Sequence, residues 1–385
     1  MDITIQPGKL SGTVTVPPSK SMAHRMLICA AFANNPTTLL CAEVSEDIEA
    51  TAECLQAFGA NIQRFSNGFY IHPAKHIAQK ATLFCRESGS TLRFLLPIVG
   101  ALGVDATFEL SGRLPHRPLS PLWEEMERMG CQLSRSVENI IQCTGRLRPG
   151  TYRMDGSVSS QFISGLMMAL PLIDGETGLE ITGHVESRPY IDMTQSVLDL
   201  FSSPHPEQMS VEGDWSSGAF WLAANTMGSQ IKVNGLNDAS IQGDRTTQAL
   251  LPQLTKNVTI SAKDIPDLIP ILSVVAATHQ GAMFTDIARL RLKESDRVAA
   301  IIAMLEDLGG TATATENTLT IYGTGLKGGA IRSFDDHRIA MSAAIAATVC
   351  TSPVTIIGAE CVKKSYPGFW AEYTRLGGKY EKQLR

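Results

Sequence analysis

The chain has 385 residues, 44% of them hydrophobic and 18% charged, and a formal net charge of −5. That length is generous for one core, so two lobes are expected, and the negative balance argues against a nucleic-acid binder held by bulk electrostatics. The start, Met1-Asp2-Ile3-Thr4-Ile5, has no basic or apolar leader pattern, and apolar runs such as 268–277 are interrupted by Pro270, so neither a signal peptide nor a membrane span is expected.

In chain order, 2–6 and 13–16 read as strands of a hairpin about Pro7-Gly8. Then one pattern returns six times: a short polar head, an apolar Ala-rich helix, a strand and a more amphipathic helix. The first unit has helix 22–33, strand 37–41, helix 47–58 stopped by Gly59, and a hairpin of 61–65 with 69–72 about Ser66-Asn67-Gly68. The second repeats it with 92–102, 106–110, 122–129 and a hairpin over 131–143 about Glu138-Asn139. Units three and four are abbreviated. After helix 192–201 only 202–213 remains, and after helix 246–254 only 256–262, each with room for one strand. The fifth unit is full again, with helices 268–278 and 297–308 and a hairpin over 311–322. The sixth ends at Gly377-Gly378 with space for one strand, so the N-terminal hairpin is expected to supply what it lacks. Three units per lobe place the lobes at 18–213 and at 1–17 plus 214–385.

The heads are Ser19-Lys20-Ser21, Ser88-Gly89-Ser90-Thr91, Ser157-Val158-Ser159-Ser160-Gln161, Asp214-Trp215-Ser216-Ser217, Pro266-Asp267 and Asp335-Asp336-His337-Arg338. Helix N-termini present unpaired amides and the positive end of the dipole, so repeated heads carrying cations can build an anion-binding centre. The sharpest stretch is Pro17-Pro18-Ser19-Lys20-Ser21, with Arg25 one turn into the helix and Ser21 read as the N-cap. Amides, a hydroxyl, an ammonium and a guanidinium in one small volume suit a phosphate ester or a carboxylate. The plain alternative is a cap beside two solvated cations. Glu87-Ser88-Gly89-Ser90-Thr91-Leu92-Arg93 follows the same plan, with Gly89 permitting close approach of a ligand. Lys293 and Arg297 stand one turn apart beside Glu294, which on spacing alone reads as an exposed helix start with ordinary ion pairs. Asp267 opens a strongly apolar helix, and a carboxylate there needs a partner or a task; capping is the plain reading. His337 reads as a structural hydrogen-bonder rather than a base. Cys29, Cys41, Cys54, Cys85, Cys131, Cys143, Cys350 and Cys361 include no C-x-x-C and no nearby His at ligand spacing, which reads as reduced core thiols and no metal site.

Together these pieces resemble the 5-enolpyruvylshikimate-3-phosphate synthase family. The resemblance runs through Pro18-Ser19-Lys20-Ser21 with Arg25, Ser88-Gly89-Ser90-Thr91-Leu92-Arg93, Arg117-Pro118, Ser159-Ser160-Gln161 and Ser187-Arg188-Pro189-Tyr190. It continues through Ile265-Pro266-Asp267, Lys293-Glu294-Ser295-Asp296-Arg297, Asp336-His337-Arg338 and Lys364-Ser365-Tyr366-Pro367. It implies an α/β protein with the two-lobed enolpyruvyl transferase fold, an inside-out α/β barrel of six α/β repeat units, three per lobe, with substrates in the cleft. The implied reaction moves the enolpyruvyl group of phosphoenolpyruvate to the 5-hydroxyl of shikimate 3-phosphate through a tetrahedral addition–elimination intermediate.

By the same resemblance, shikimate 3-phosphate would touch Lys20, Ser21, Arg25, Ser159, Ser160, Gln161, Ser187, Tyr190, Asp267 and Lys293, mostly on the 18–213 lobe. Phosphoenolpyruvate would touch Lys20, Gly89, Arg117, Gln161, Glu294, Arg297, Arg338 and Lys364. Asp267, Glu294 and Lys20 would carry the protons, in an assignment the sequence leaves open. No cofactor, metal, nucleic acid or membrane is implied, and a cytoplasmic monomer is expected. Arg86 stands where the family commonly carries Gly, Glu87 and Arg289 where Asn is frequent in some members, and the two trimmed units make the chain shorter than is usual. The sister transferase acting on UDP-N-acetylglucosamine typically has a reactive cysteine in the loop of the second unit, and 110–122 contains none. A catalytically dead ligand-binding relative is disfavoured by the presence of Asp267, Glu294 and the cationic clamp. RNA 3′-phosphate cyclases share related units, but no nucleotide-specific signature is found.

Overall fold

Strand β1 (Asp2–Gln6) and strand β2 (Ser11–Thr15) open the computed structural model, which describes residues 1–202 and 204–383. Then come α1 (Lys20–Ala31), β3 (Thr37–Leu40), α2 (Glu46–Ala57), β4 (Asn61–Phe65), β5 (Gly68–His72), β6 (Lys80–Arg86), α3 (Gly89–Leu102) and β7 (Asp105–Leu110). After them run α4 (Leu122–Arg128), β8 (Cys131–Val137), β9 (Ile140–Gly145), β10 (Gly150–Asp155), α5 (Ser160–Ala169), β11 (Thr177–Thr182), α6 (Arg188–Phe201) and β12 (Gln208–Ser210). The next elements are α7 (Trp215–Thr226), β13 (Gln230–Asn234), α8 (Thr247–Leu250), β14 (Val258–Ser261), α9 (Ile269–Thr278), β15 (Ala282–Thr285) and α10 (Arg297–Asp307). The chain closes with β16 (Thr311–Ala314), β17 (Thr318–Tyr322), β18 (Gly329–Arg332), α11 (His337–Ala346), β19 (Val354–Ile357), α12 (Phe369–Arg375) and β20 (Lys379–Gln383).

Two compact units emerge, Pro18–Val211 and Met1–Pro17 with residues 212–383. The sheet orders are β12-β3-β5-β4, β6-β7-β9-β8 and β10-β11 in the first, and β18-β19-β1-β20, β14-β15-β17-β16 and β13-β2 in the second. No described sheet closes on itself. Apolar residues on every side bury the head-bearing helices. All ten residues of α11 are buried, as is α9 from Ile269 to Ala277. Each fully buried Leu, Ile or Phe contributes about 1.5–3 kcal/mol relative to exposure, so these rods are the centre of each core. Two of them approach very closely. Pro97 inside α3 cannot donate to the Arg93 carbonyl, and a Cβ on Gly165 of α5 would lie only 2.3 Å from that oxygen.

Most helices and the hairpins of the first, second and fifth units fall where the pattern predicts them, but three strands, β6, β10 and β18, have no counterpart in that reading. β6, β10, β14 and β18 each precede a buried helix and pair in parallel with the strand that follows it. β14 fell in the single-strand space expected after the fourth unit; β6, β10 and β18 had no such signal. Only Leu83 and Cys85 point inward from β6, and only Ile331 is buried in β18, too little alternation to read. The exchange of strands explains the two chain crossings. β2 precedes α1 yet pairs with β13, and β12 precedes α7 yet pairs with β3.

Two further expectations are corrected. β1 and β2 form no hairpin: β1 is sandwiched antiparallel between β19 and β20, which does tie the N-terminal strand to the last two strands. The helix expected over 246–254 shrinks to α8 between short 3-10 turns, because Pro252 cannot donate the backbone bond that would continue it. The trimmed stretches after the second helices hold one strand each, β12 and β14; residue 203 of the first stretch lies outside the described residues. Arg86 takes a left-handed φ of 53°, a backbone that glycine adopts freely, and is held by a bidentate pair with Glu53 (2.8 and 2.9 Å) and by Glu49.

Candidate active site

In the Pro18–Val211 unit the site residues stand at the N-terminal ends of helices. α1 starts at Lys20 with Ser19, not Ser21, in the N-cap position. The Lys20 ammonium meets Asp47 Oδ2 at 2.8 Å, and both side chains are largely shielded. Asp47 sits in the first turn of α2, where the helix dipole favours a carboxylate. At α3, Ser88 caps the Thr91 amide, and Gly89 leaves room for two arginine side chains to approach. A Cβ there would lie 2.7 Å from an Arg117 guanidinium nitrogen and 3.0 Å from one of Arg93. Arg93 in turn donates to Gln161 Oε1 at 2.7 Å and to the Pro118 carbonyl at 3.1 Å, and Gln161 donates to Ser90 Oγ at 3.0 Å. One guanidinium therefore orients both Gln161 and the loop that carries Arg117. Ser159 caps α5 through the Gln161 amide, with Ser160 buried beside it.

Arg25 is nearly fully buried and already engaged. It donates to Thr194 Oγ1 (2.7 Å), the Ser21 carbonyl (2.7 Å), Ser164 Oγ (3.2 Å) and the Tyr190 carbonyl (3.0 Å), and lies over the Phe94 ring. Burial lowers its pKa to about 10. Its visible work is to pin the first turn of α1 to α5 and to the start of α6. Ser187, at the head of α6, adopts a left-handed φ of 53°.

In the other unit the charges form one tight array. Asp267 does not cap α9. Its Oδ1 meets Arg297 at 2.6 Å and Lys293 at 3.8 Å, and its Oδ2 meets Arg338 at 2.8 Å. Arg297, 1% exposed, also binds Glu294 (2.6 Å) and Asp336 (2.9 Å), so three carboxylates share one guanidinium. The exposed, solvated helix start that spacing suggested for this stretch is therefore wrong for Arg297. Asp336 caps α11 through the Arg338 amide and accepts from Ser295 Oγ. Lys364 is held by Asp335 at 2.6 Å. Burial alone would raise the Asp267 pKa, but Arg338, Lys293 and Arg297 outweigh it and hold the carboxyl well below its usual range. Burial brings Lys293 down to about 8, against the pull of Asp267.

Asp47, Asp244 and the multiple roles of Asp336 were not legible beforehand. Asp47 looks like any acidic residue in a first helical turn. Asp244 lies in a short turn with no pattern, yet it is buried, bonded to Ser216 Oγ, and its pKa is raised to about 7, first by burial and then by the Asp267 charge. The folded chain keeps a proton on Asp244 that the unfolded chain releases between 3.8 and about 7, so this group makes stability fall as pH rises through that window. Asp244→Asn should melt like the parent near pH 4 and at increasingly higher temperature than the parent towards pH 8. A difference in melting temperature that does not change with pH would contradict this.

Clustered cations and carboxylates beside helix N-termini in an α/β protein suit the binding of small phosphorylated or carboxylated molecules. Comparison makes the class specific. The chain belongs to the EPSP synthase (3-phosphoshikimate 1-carboxyvinyltransferase) family, whose model matches residues 5–373. A 3-phosphoshikimate 1-carboxyvinyltransferase of Clostridium kluyveri is 38% identical over 417 residues, spanning 98% of each chain. One of Clostridium acetobutylicum is 37% identical over 416 residues, spanning 98% of this chain and 97% of its own. Both alignments are longer than the 385 residues here, so these relatives carry segments this chain lacks. In fold, the chain is similar to a solved EPSP synthase from Acinetobacter baumannii, with a TM-score of 0.78 and 24% identity over 99% of this chain and all of that one. Among the described residues no helix is long and apolar enough to cross a membrane.

Proposed function

We propose that this chain transfers the enolpyruvyl group of phosphoenolpyruvate to the 5-hydroxyl of shikimate 3-phosphate, releasing phosphate, as a step of aromatic biosynthesis. Family membership supports the reaction. The observation that carries the site assignment is Asp267: a carboxylate at the mouth of an apolar helix, held by Arg297 and Arg338 in place of capping. In this reading the chain comprises six α/β units, three per lobe, arranged as an inside-out α/β barrel and acting as a cytoplasmic monomer. The lobes are 18–213 and 1–17 with 214–385, whose last two residues lie outside those described.

The chemistry needs a base for the 5-hydroxyl, an acid for C3 of the enol, and cations for the departing phosphate. The hydroxyl oxygen adds to C2 as C3 takes a proton. The tetrahedral intermediate then loses that C3 proton as the C2–O bond to phosphate breaks, which restores the double bond. Asp267 lies nearest the role of base, and its partners explain how it becomes one. Arg297, Arg338 and Lys293 hold it ionised and weakly basic. Anionic substrate drawing on the same cations relaxes that hold and raises its basicity. Glu294 and Lys20 carry the remaining protons, and Arg117, Arg297, Arg338 and Lys364 clamp phosphoenolpyruvate with Gly89 and Gln161. Shikimate 3-phosphate takes Lys20, Ser21, Arg25, Ser159, Ser160, Gln161, Ser187, Tyr190, Asp267 and Lys293. Arg25 has four of its five N–H donors on protein groups, so its part is mainly to fix Ser21 and Tyr190.

The test is direct. Purified protein is mixed with phosphoenolpyruvate and either shikimate 3-phosphate or UDP-N-acetylglucosamine, and free phosphate is measured. Release with shikimate 3-phosphate alone is expected. Release only with the nucleotide sugar, or with neither acceptor, would refute the reading.

A further inference from the structure

We propose that a buried hydrogen-bond chain, His24–Thr51–Thr91–Ser88, is a positioning device that fixes Lys20, Asp47 and the Gly89 turn for catalysis; this rests on the function proposed above. The links are His24 Nδ1 to Thr51 Oγ1, Thr51 Oγ1 to Thr91 Oγ1, and Thr91 Oγ1 to Ser88 Oγ, each 2.7 Å. All four residues are at most 1% exposed.

The chain copies the site one helical turn lower. His24 lies four residues after Lys20 on α1, Thr51 four after Asp47 on α2, and Thr91 three after Ser88 at the start of α3. Residues at these spacings share a helix face. The Lys20–Asp47 ion pair is thus an upper layer, and the hydroxyl–imidazole chain is a lower layer joining the same helices. The layers meet at two places. Thr91 Oγ1 reaches the Asp47 carbonyl at 3.5 Å, and the Thr91 amide is capped by Ser88, the residue before Gly89.

The proton count gives the chain a direction. His24 Nε2 is buried without a hydrogen-bond partner. An unpaired lone pair there costs less than an unpaired N–H, which favours the tautomer in which Nδ1–H donates to Thr51. Thr51 then donates to Thr91, whose single proton goes chiefly to Ser88 Oγ at 2.7 Å, with the Asp47 carbonyl a weaker, shared acceptor at 3.5 Å. Burial, with Lys20 and Arg25 nearby, keeps the ring neutral, and Phe94 meets it edge-on. A hydrophobic core of the same size would hold three helices together. It would not set their rotation, and hence the aim of Lys20, to a fraction of an ångström.

The experiment is Thr51→Val, which keeps side-chain shape and removes the central hydroxyl, compared with Thr51→Ser, which keeps the hydroxyl. Phosphate release from shikimate 3-phosphate and phosphoenolpyruvate is measured per folded molecule, alongside thermal unfolding. Thr51→Val is expected to lose about ten- to a hundredfold in kcat, the scale of a small misplacement of reacting groups, with smaller changes in KM. Thr51→Ser is expected to recover most of it. Parent-like kcat in Thr51→Val, with only a lower melting temperature, would overturn the positioning role. If Thr51→Val does not fold, Thr91→Val reads the chain from its other end, and failure of both to fold makes the chain a folding element and likewise overturns the proposal. An inactive parent protein would instead refute the functional reading itself.

Discussion

Lys20→Ala is expected to lower turnover by about 10²–10⁴-fold while leaving the fold intact. Lys20 is the first residue of α1, its ammonium sits 2.8 Å from Asp47, and it is 17% exposed, so it is shielded without being part of a core. Truncating it leaves Asp47 at the positive end of α2, a favourable place for a carboxylate. That placement offsets part of the cost of leaving a largely shielded carboxylate without its lysine, so the loss of stability should be smaller than for a fully buried pair. The loss to catalysis is much larger, because a positioned proton carrier contributes about 10²–10⁴-fold. Phosphate release should therefore fall by that factor while the circular dichroism spectrum and melting temperature stay near those of the parent. Lys20→Arg separates the two roles of the side chain. It keeps the charge but cannot give up a proton, so it should stay low if Lys20 carries protons and recover if charge alone matters. Near-normal phosphate release from Lys20→Ala would overturn the assignment.

The second large effect is on stability. Arg297→Met should destabilise the protein by about 3–5 kcal/mol, the usual result of removing one member of a buried charge cluster. Arg297 is 1% exposed and Asp336 is 0% exposed, so water cannot replace the lost guanidinium at that carboxylate. Asp267 and Glu294 lose a partner in the same step. The pH dependence has a definite sign. The Asp267 carboxyl is depressed in the folded state, so its contribution is present above the ordinary value of 3.8 and is lost as pH falls through the folded pKa. The penalty in Arg297→Met should thus be largest at neutral pH and shrink in acid, where the orphaned carboxylates take protons. Urea unfolding at pH 7 and pH 4 reads both statements. A midpoint equal to the parent's at pH 7 would show that the cluster is not stabilised through Arg297.

Much of the architecture was legible because each helix announces itself twice, by a polar head and by an apolar run longer than any strand needs. Turn chemistry did the same for the hairpins: Ser66-Asn67, followed by Gly68 at the start of β5, and Glu138-Asn139 lie between paired strands where expected. Of the strands leading into buried helices, β6, β10 and β18 give no signal, since a short strand with one or two inward side chains has no periodicity to detect. Pro7-Gly8 is a turn signal and suggests a β1–β2 hairpin that does not form, whereas the shortage of strands in the sixth unit points correctly to pairing of the N-terminal strand some 350 residues away. At the site, residue types were readable and partnerships were not. Asp267 was weighed as a cap and is a triple ion-pair acceptor. The resemblance sets Arg25 against substrate, and its bonds to Thr194, Ser21, Ser164 and Tyr190 were not readable from the sequence. Asp47 was invisible, because an acid in a first helical turn is the commonest of surface features until a lysine from another helix is found on it.

The central proposal is that Arg117 and Arg338 both serve the binding of phosphoenolpyruvate. Phosphate release at saturating shikimate 3-phosphate, measured over a range of phosphoenolpyruvate concentrations, tests it, with Arg117→Ala and Arg338→Ala compared to the parent. Each variant should lose about 1.5–3 kcal/mol in kcat/KM for phosphoenolpyruvate, roughly ten- to a hundredfold. Parent-like kcat/KM in either variant would mean that phosphoenolpyruvate is held by one cluster alone, and the account would fail.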